Sequence, residues 1–127
     1  MISLFELTVA NYIDAAHFLR GYRVNCANIH GHTWRVEVTL QGRQLDSAGL
    51  LVDFNDIKKM IKEITAGFDH NLINAVGPFD NINPTSENLA RHIYREMKKA
   101  VAPLEGIRVL KVVVAESRDT SAAYHEE

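Results

Sequence analysis

Cys26-Ala-Asn-Ile-His30-Gly-His32-Thr-Trp34-Arg-Val36-Glu-Val38-Thr-Leu40 is the stretch on which the reading of this chain turns. From Thr33 to Leu40 polar and apolar residues alternate strictly, which is the period of a strand with one buried face. His30 and His32 continue the phase of Trp34, Val36, Val38 and Leu40, so both imidazoles stand at the rim of the apolar face and can converge on one ion. His-x-His alone is a weak signal; the apolar shell behind it strengthens it, because it limits solvent access to a bound ion. His17, in Ala15-Ala16-His17-Phe18, ends an earlier strand-like segment and offers a third imidazole. Three neutral imidazoles leave one position of a tetrahedral zinc open to water or substrate, the arrangement of a catalytic site.

Working outward, residues 2 to 10 alternate, with Phe5, Leu7 and Val9 on one face and Leu4, Glu6 and Thr8 on the other. Tyr12 to Phe18 is expected to extend that strand, with room for a bulge. Residues 19 to 29, which hold Gly21, two arginines and two asparagines, read as a loop. Gly42 and Gly49 bracket a polar connection. Asp53 then caps a helix whose apolar face is Phe54, Ile57, Ile61 and Ile64, with Lys58, Lys59 and Lys62 opposite and Gly67 at its end.

Residues 68 to 83 read as a long loop containing Asp69-His70-Asn71, and a loop of that length in a small domain is a site candidate. Pro84-Thr85-Ser86-Glu87 opens a second helix with the stripe Leu89, Ile93, Met97 and Val101, stopped by Pro103 and Gly106. Residues 107 to 115 form a buried strand with Glu116 at its end, and the tail after Arg118 is polar. These elements predict an α+β domain with helices on one face of an antiparallel sheet.

The 127 residues, 46% of them hydrophobic, suit one domain spanning 1–127 with a real core. A formal charge of -2 without a basic stripe argues against nucleic-acid binding driven by phosphate neutralisation. No apolar run approaches the roughly 18 residues of a membrane span, and the start lacks the pattern of a secretory signal, so a cytoplasmic protein is expected with no membrane partner. The single cysteine, Cys26, cannot form an internal disulfide and, beside histidines, is a candidate nucleophile or base.

Cys-x-x-x-His-Gly-His, the upstream Ala-Ala-His, the Asp69-His70 segment, Pro-Thr-Ser-Glu-Asn-Leu-Ala and a late Glu before a Tyr appear in an order that resembles the 6-pyruvoyl-tetrahydropterin synthase family, from about residue 3 to 124. The three-residue gap between Cys26 and His30 looks most like the 6-carboxytetrahydropterin synthase branch of queuosine biosynthesis. The resemblance implies a tunnelling fold: a four-stranded antiparallel sheet with two helices on one face, subunits closing a barrel, and two trimers stacking into a homohexamer.

It further implies that His17, His30 and His32 hold zinc, that Cys26 is the general base, and that Asp69 and His70 form a proton relay supplied across a subunit boundary. Glu116 matches the carboxylate that anchors the pterin and is credited with a part in the relay. Thr85 and Ser86 match a segment that also holds the ring, and both can serve as helix caps. Phe18, Asn25 and Ser117 depart from the family pattern, with Arg20 and Arg23 the nearest replacements for phosphate recognition.

The implied activity is zinc-dependent conversion of 7,8-dihydroneopterin triphosphate to 6-carboxy-5,6,7,8-tetrahydropterin, releasing acetaldehyde and triphosphate. The alternatives are a reaction that stops at the 6-pyruvoyl product, an aldolase-like cleavage, a zinc-bearing pterin or purine binding module without turnover, and a structural zinc protein. Cys26 with Asp69 and His70 argues against the binding module, since binding needs no proton shuttle. Three histidines without a fourth protein ligand in the motif make a structural site the weakest reading.

Overall fold

β1 (Phe5–His17) and β2 (His30–Gly42) run antiparallel in unbroken register, from Phe5 opposite Gly42 to His17 opposite His30. The computed structural model describes residues 1–21 and 27–127, so Arg23, Asn25 and Cys26 lie outside the described residues. The bulge allowed for between residues 10 and 12 is absent from this pairing, and one alternation carries from Leu7 through Val9, Ile13 and Ala15 to His17. Phe5, expected on that buried face, is exposed at its end. Asn11 falls on the same phase and donates its Nδ2–H to the Lys58 carbonyl at 3.1 Å, which satisfies a polar side chain facing a helix.

β3 (Arg108–Ala115) joins the other side of β2, and β4 (Ser121–Tyr124) completes the order β1-β2-β3-β4, all antiparallel. The register between β2 and β3 slips by one between Thr39 and Leu40. That irregularity lets Val109 and Val112 both face inward although they are three apart. The polar tail after Arg118 therefore supplies the fourth strand, recognisable by its pairing rather than by its composition.

Two helices are present among the described residues: α1 (Phe54–Thr65) and α2 (Ser86–Val101). Asp53 caps α1 by accepting from the Asn55 N–H at 2.8 Å, and Thr85 caps α2 by accepting from the Asn88 N–H at 3.1 Å. Ile57 and Ile61 from α1, and Leu89, Ile93, Met97 and Val101 from α2, share one core with Trp34, Val36, Val38 and Leu40. Phe54 is a correction to the expected helix face. It is 56% exposed, because residues 53 to 56 are all exposed and the first turn projects beyond the core. Its place in the buried set is taken by Thr65, whose hydroxyl donates to the Ile61 carbonyl at 2.8 Å.

Gly42 is required by close approach: a Cβ there would lie 2.7 Å from Leu51 Cδ1 and 3.0 Å from the Gly106 carbonyl oxygen. The segment 68 to 83 is not a featureless loop. It carries a 3-10 turn at Ile73–Ala75 and buries Phe68, Ile73, Asn74 and Phe79. Among the described residues no helix is long and apolar enough to cross a membrane.

His92 on α2 packs edge-on against Phe68 and Phe79, with ring centroids 5.7 and 5.5 Å away. Burial pushes its imidazole below the usual histidine range, Glu96 pulls it back up, and Lys99 and Arg95 add to the downward push. The folded chain thus holds His92 neutral where the unfolded chain takes a proton, so its contribution to stability falls as pH drops below the free value of about 6.5. The melting temperature of a His92→Phe variant should rise relative to wild type between about pH 7.5 and 5.5. Parallel curves for the two proteins would remove His92 from the acid response.

Candidate functional site

His17 closes β1 while His30 and His32 open β2, and the inward phase of both strands turns the three imidazoles toward one another. Their ring centroids are 4.5 Å (His17 to His30), 5.2 Å (His17 to His32) and 4.9 Å (His30 to His32) apart, with the rings steeply inclined. Trp34 lies behind them, its rings centred 4.8 Å from His17 and 5.1 Å from His32, and its Nε1–H donates to the Ala15 carbonyl at 3.1 Å.

Backbone carbonyls select the tautomers. His17 Nδ1–H donates to Pro84 O at 2.7 Å, and His30 Nδ1–H donates to Asn28 O at 2.8 Å. A carbonyl only accepts, so in each neutral ring Nε2 keeps its lone pair. His17 is 1% exposed, and burial pushes its imidazole below the usual range, against the upward pull of the Pro84 carbonyl. Burial does the same to His32, with Glu116 opposing and His30 adding to the shift. Neutral imidazole is the metal-binding form.

Glu116, one residue past β3, reaches into this cluster. Its Oε2 lies 3.1 Å from His32 Nε2 and 4.0 Å from His17 Nε2, and the donor atoms of all four side chains lie within 4.8 Å of one another. His17 Nε2 and His32 Nε2 are buried with no hydrogen-bond partner, even though the Glu116 oxygen is within reach of His32. Buried nitrogens left unpaired are costly, and three imidazoles with one carboxylate are the donor set of a tetrahedral cation. The four residues fit a metal. Ser86, 7% exposed, donates its hydroxyl to Glu116 Oε1 at 3.1 Å, which ties the start of α2 to the cluster, while Thr85 acts as the helix cap.

Asp69 and His70 sit elsewhere, against the free edge of β1. The His70 N–H donates to Asp14 O at 2.6 Å, Asp14 N–H donates to Asp69 Oδ1 at 3.0 Å, and Ala16 N–H donates to Asn71 O at 3.1 Å. This pairing holds His70 at φ 61, a conformation uncommon outside glycine. His70 Nδ1 lies 3.0 Å from Asp69 Oδ1, and its side chain is 77% exposed. Asp14, whose Oδ1 accepts from the Thr33 hydroxyl at 2.6 Å, completes a second group with Asp69 and His70. Asp14 and His70 line an open groove of 610 Å³ with Thr33, Asn71 and His32, so the groove also borders the histidine cluster. Within one chain the structure therefore brings together His17, His30, His32, Glu116 and Ser86, and keeps Asp69 with His70 in a separate cluster.

Sequence reasoning did not find Asp14. Its signal was a carboxylate out of phase with the inward residues Ile13 and Ala15, but the loop it meets lies 55 positions away. The Arg20 guanidinium donates to Phe79 O at 3.0 Å and reaches the Asn74 and Ile82 carbonyls at 3.5 Å, so part of its donor set holds the loop. Asn74 and Asn83 assist by pairing, through donor and acceptor alike, with the backbone of Phe18 and Arg20.

The chain is similar to known proteins along nearly its whole length. The profile of the family described as 6-pyruvoyl tetrahydropterin synthase matches residues 6–127. The chain is 36% identical over 106 residues to the 6-carboxy-5,6,7,8-tetrahydropterin synthase of Bacillus subtilis, spanning 80% of this chain and 70% of the relative. Against the enzyme of the same name from Aquifex aeolicus it is 30% identical over 139 aligned positions, spanning 91% of this chain and 86% of the relative. Caenorhabditis elegans 6-pyruvoyl tetrahydropterin synthase superposes with a TM-score of 0.85, covering 99% of this chain and 98% of that one at 22% identity, a likeness of fold.

Proposed function

The chain belongs to the 6-pyruvoyl tetrahydropterin synthase family, and on that premise we propose that it is a zinc-dependent 6-carboxy-5,6,7,8-tetrahydropterin synthase of queuosine biosynthesis. Its substrates are 7,8-dihydroneopterin triphosphate and one water, and its products are 6-carboxy-5,6,7,8-tetrahydropterin, acetaldehyde and triphosphate. The observation that carries the reading is the convergence of His17, His30, His32 and Glu116 in a chain similar to relatives of that name.

His17, His30 and His32 would hold the zinc, and the bound ion would supply the Lewis acidity that makes the side-chain carbinol protons easier to remove. Glu116 accepts hydrogen bonds from the adjacent N–H donors of the pterin ring, with Ser86 steadying the carboxylate. Cys26 takes the carbinol proton as general base. Asp69 accepts from His70 Nδ1 and leaves Nε2 free to exchange that proton. Because His70 faces solvent at the edge of β1, it serves the Cys26 of a neighbouring subunit in a homohexamer. The edge strands β1 and β4 support such an assembly, since closing a barrel between subunits removes unpaired edges.

The test is incubation of the zinc-loaded protein with 7,8-dihydroneopterin triphosphate, with mass identification of the pterin and a coupled acetaldehyde assay. The 6-carboxy product with acetaldehyde in equal amount is expected. A 6-pyruvoyl product without acetaldehyde would make it an enzyme of elimination only, and unconsumed substrate would overturn the enzymatic reading.

A further inference from the structure

We propose that Glu116 caps the metal in the resting protein, with Ser86 holding it there, and leaves the metal when a pterin docks. The inference rests on the proposed reading of the site and adds a second duty for the carboxylate. A tetrahedral zinc with arms of about 2.0–2.2 Å has donor atoms about 3.3–3.6 Å apart. Glu116 Oε2 stands 3.1 Å from His32 Nε2 and 4.0 Å from His17 Nε2, separations that bracket that edge. Neither imidazole nitrogen makes a hydrogen bond to the oxygen. The oxygen and the two nitrogens are thus set at ligand spacing without satisfying one another.

The other oxygen explains why the carboxylate stays in place. Oε1 accepts from Ser86 Oγ at 3.1 Å, and Ser86 is buried at the first position of α2. One oxygen is therefore fixed by the protein and one faces the imidazoles. Gripping two adjacent ring N–H groups needs both oxygens side by side on one edge of the carboxylate. Docking the pterin must then turn Glu116 away from the metal, and the position it vacates is the one a substrate hydroxyl takes. Recognition of the ring and opening of the metal become one event, so the resting site does not hold an idle activated water.

The probes are Co²⁺ alone, then Co²⁺ with neopterin. Cobalt bound by the wild-type protein should give the intense visible bands of four-coordination, and saturating neopterin should change them. Glu116→Ala should weaken the bands and lower metal affinity tenfold or more in chelator competition, while Ser86→Ala should lower it severalfold with the far-UV circular dichroism unchanged. Wild-type affinity and spectrum in folded Glu116→Ala would overturn the cap. Should that variant not fold, the wild type still decides, because a cobalt spectrum indifferent to bound neopterin overturns the displacement. None of these readings needs turnover, so an inactive protein with a capped metal contradicts only the proposed function, and an active enzyme with unchanged affinity contradicts only the cap.

Discussion

Replacing His32 with alanine should leave a folded protein almost free of metal. The imidazole is one of three that meet at the ends of β1 and β2, and its Nε2 is buried without a hydrogen-bond partner. Removing an outer partner of a metal-bound histidine typically costs about 10–100-fold in affinity, and removing the histidine itself deletes a bond to the ion, so a larger loss is expected. The fold should survive, because β2 is paired along both sides and the core residues Trp34, Val36, Val38 and Leu40 stay in place. The variant also relieves the crowding of two imidazoles, His17 and His32, that burial already disfavours as cations. Elemental analysis after desalting, beside circular dichroism, checks both halves. Full occupancy in a folded variant would remove His32 from the ligand set.

That cluster was legible because it is written in a strand's alternation. The phase that places Trp34, Val36, Val38 and Leu40 inward also places His30 and His32, and it needs no knowledge of distant neighbours. The helix caps were legible for the same reason, since Asp53 and Thr85 act on N–H groups two and three residues ahead. Phe54 departs from its pattern because periodicity gives the angle of a side chain around its helix and not how far the facing layer extends. β4 has little apolar signal of its own; it exists as a strand through its pairing with β3. Asp14 and Asp69, and likewise Ser86 and Glu116, meet through the closure of long loops, which no local pattern encodes. The tunnelling fold, and the relay role proposed for Asp69 and His70, come from resemblance and not from local pattern, and the edge positions of β1 and β4 in the sheet give the assembly it implies a physical ground.

Mixing Cys26→Ala subunits with His70→Ala subunits should restore activity that neither variant has alone. Loss of a general acid or base typically costs about 10²–10⁴-fold, so each homo-oligomer should be nearly inert. If a site takes Cys26 from one subunit and His70 from its neighbour, random assembly at equal proportion leaves about one site in four with both groups intact. The recovered rate should then be about a quarter of wild type, at least about 25-fold above either parent. A site contained in one chain predicts no recovery, since every chain in the mixture lacks one group. The placement of His70 favours the shared arrangement: it is exposed, held at positive φ by the edge of β1, and outside the cluster its own chain forms around Glu116. Differently tagged variants, reassembled and purified through both tags, make the comparison. Doubly tagged oligomers as inert as their parents would return both groups to a single chain.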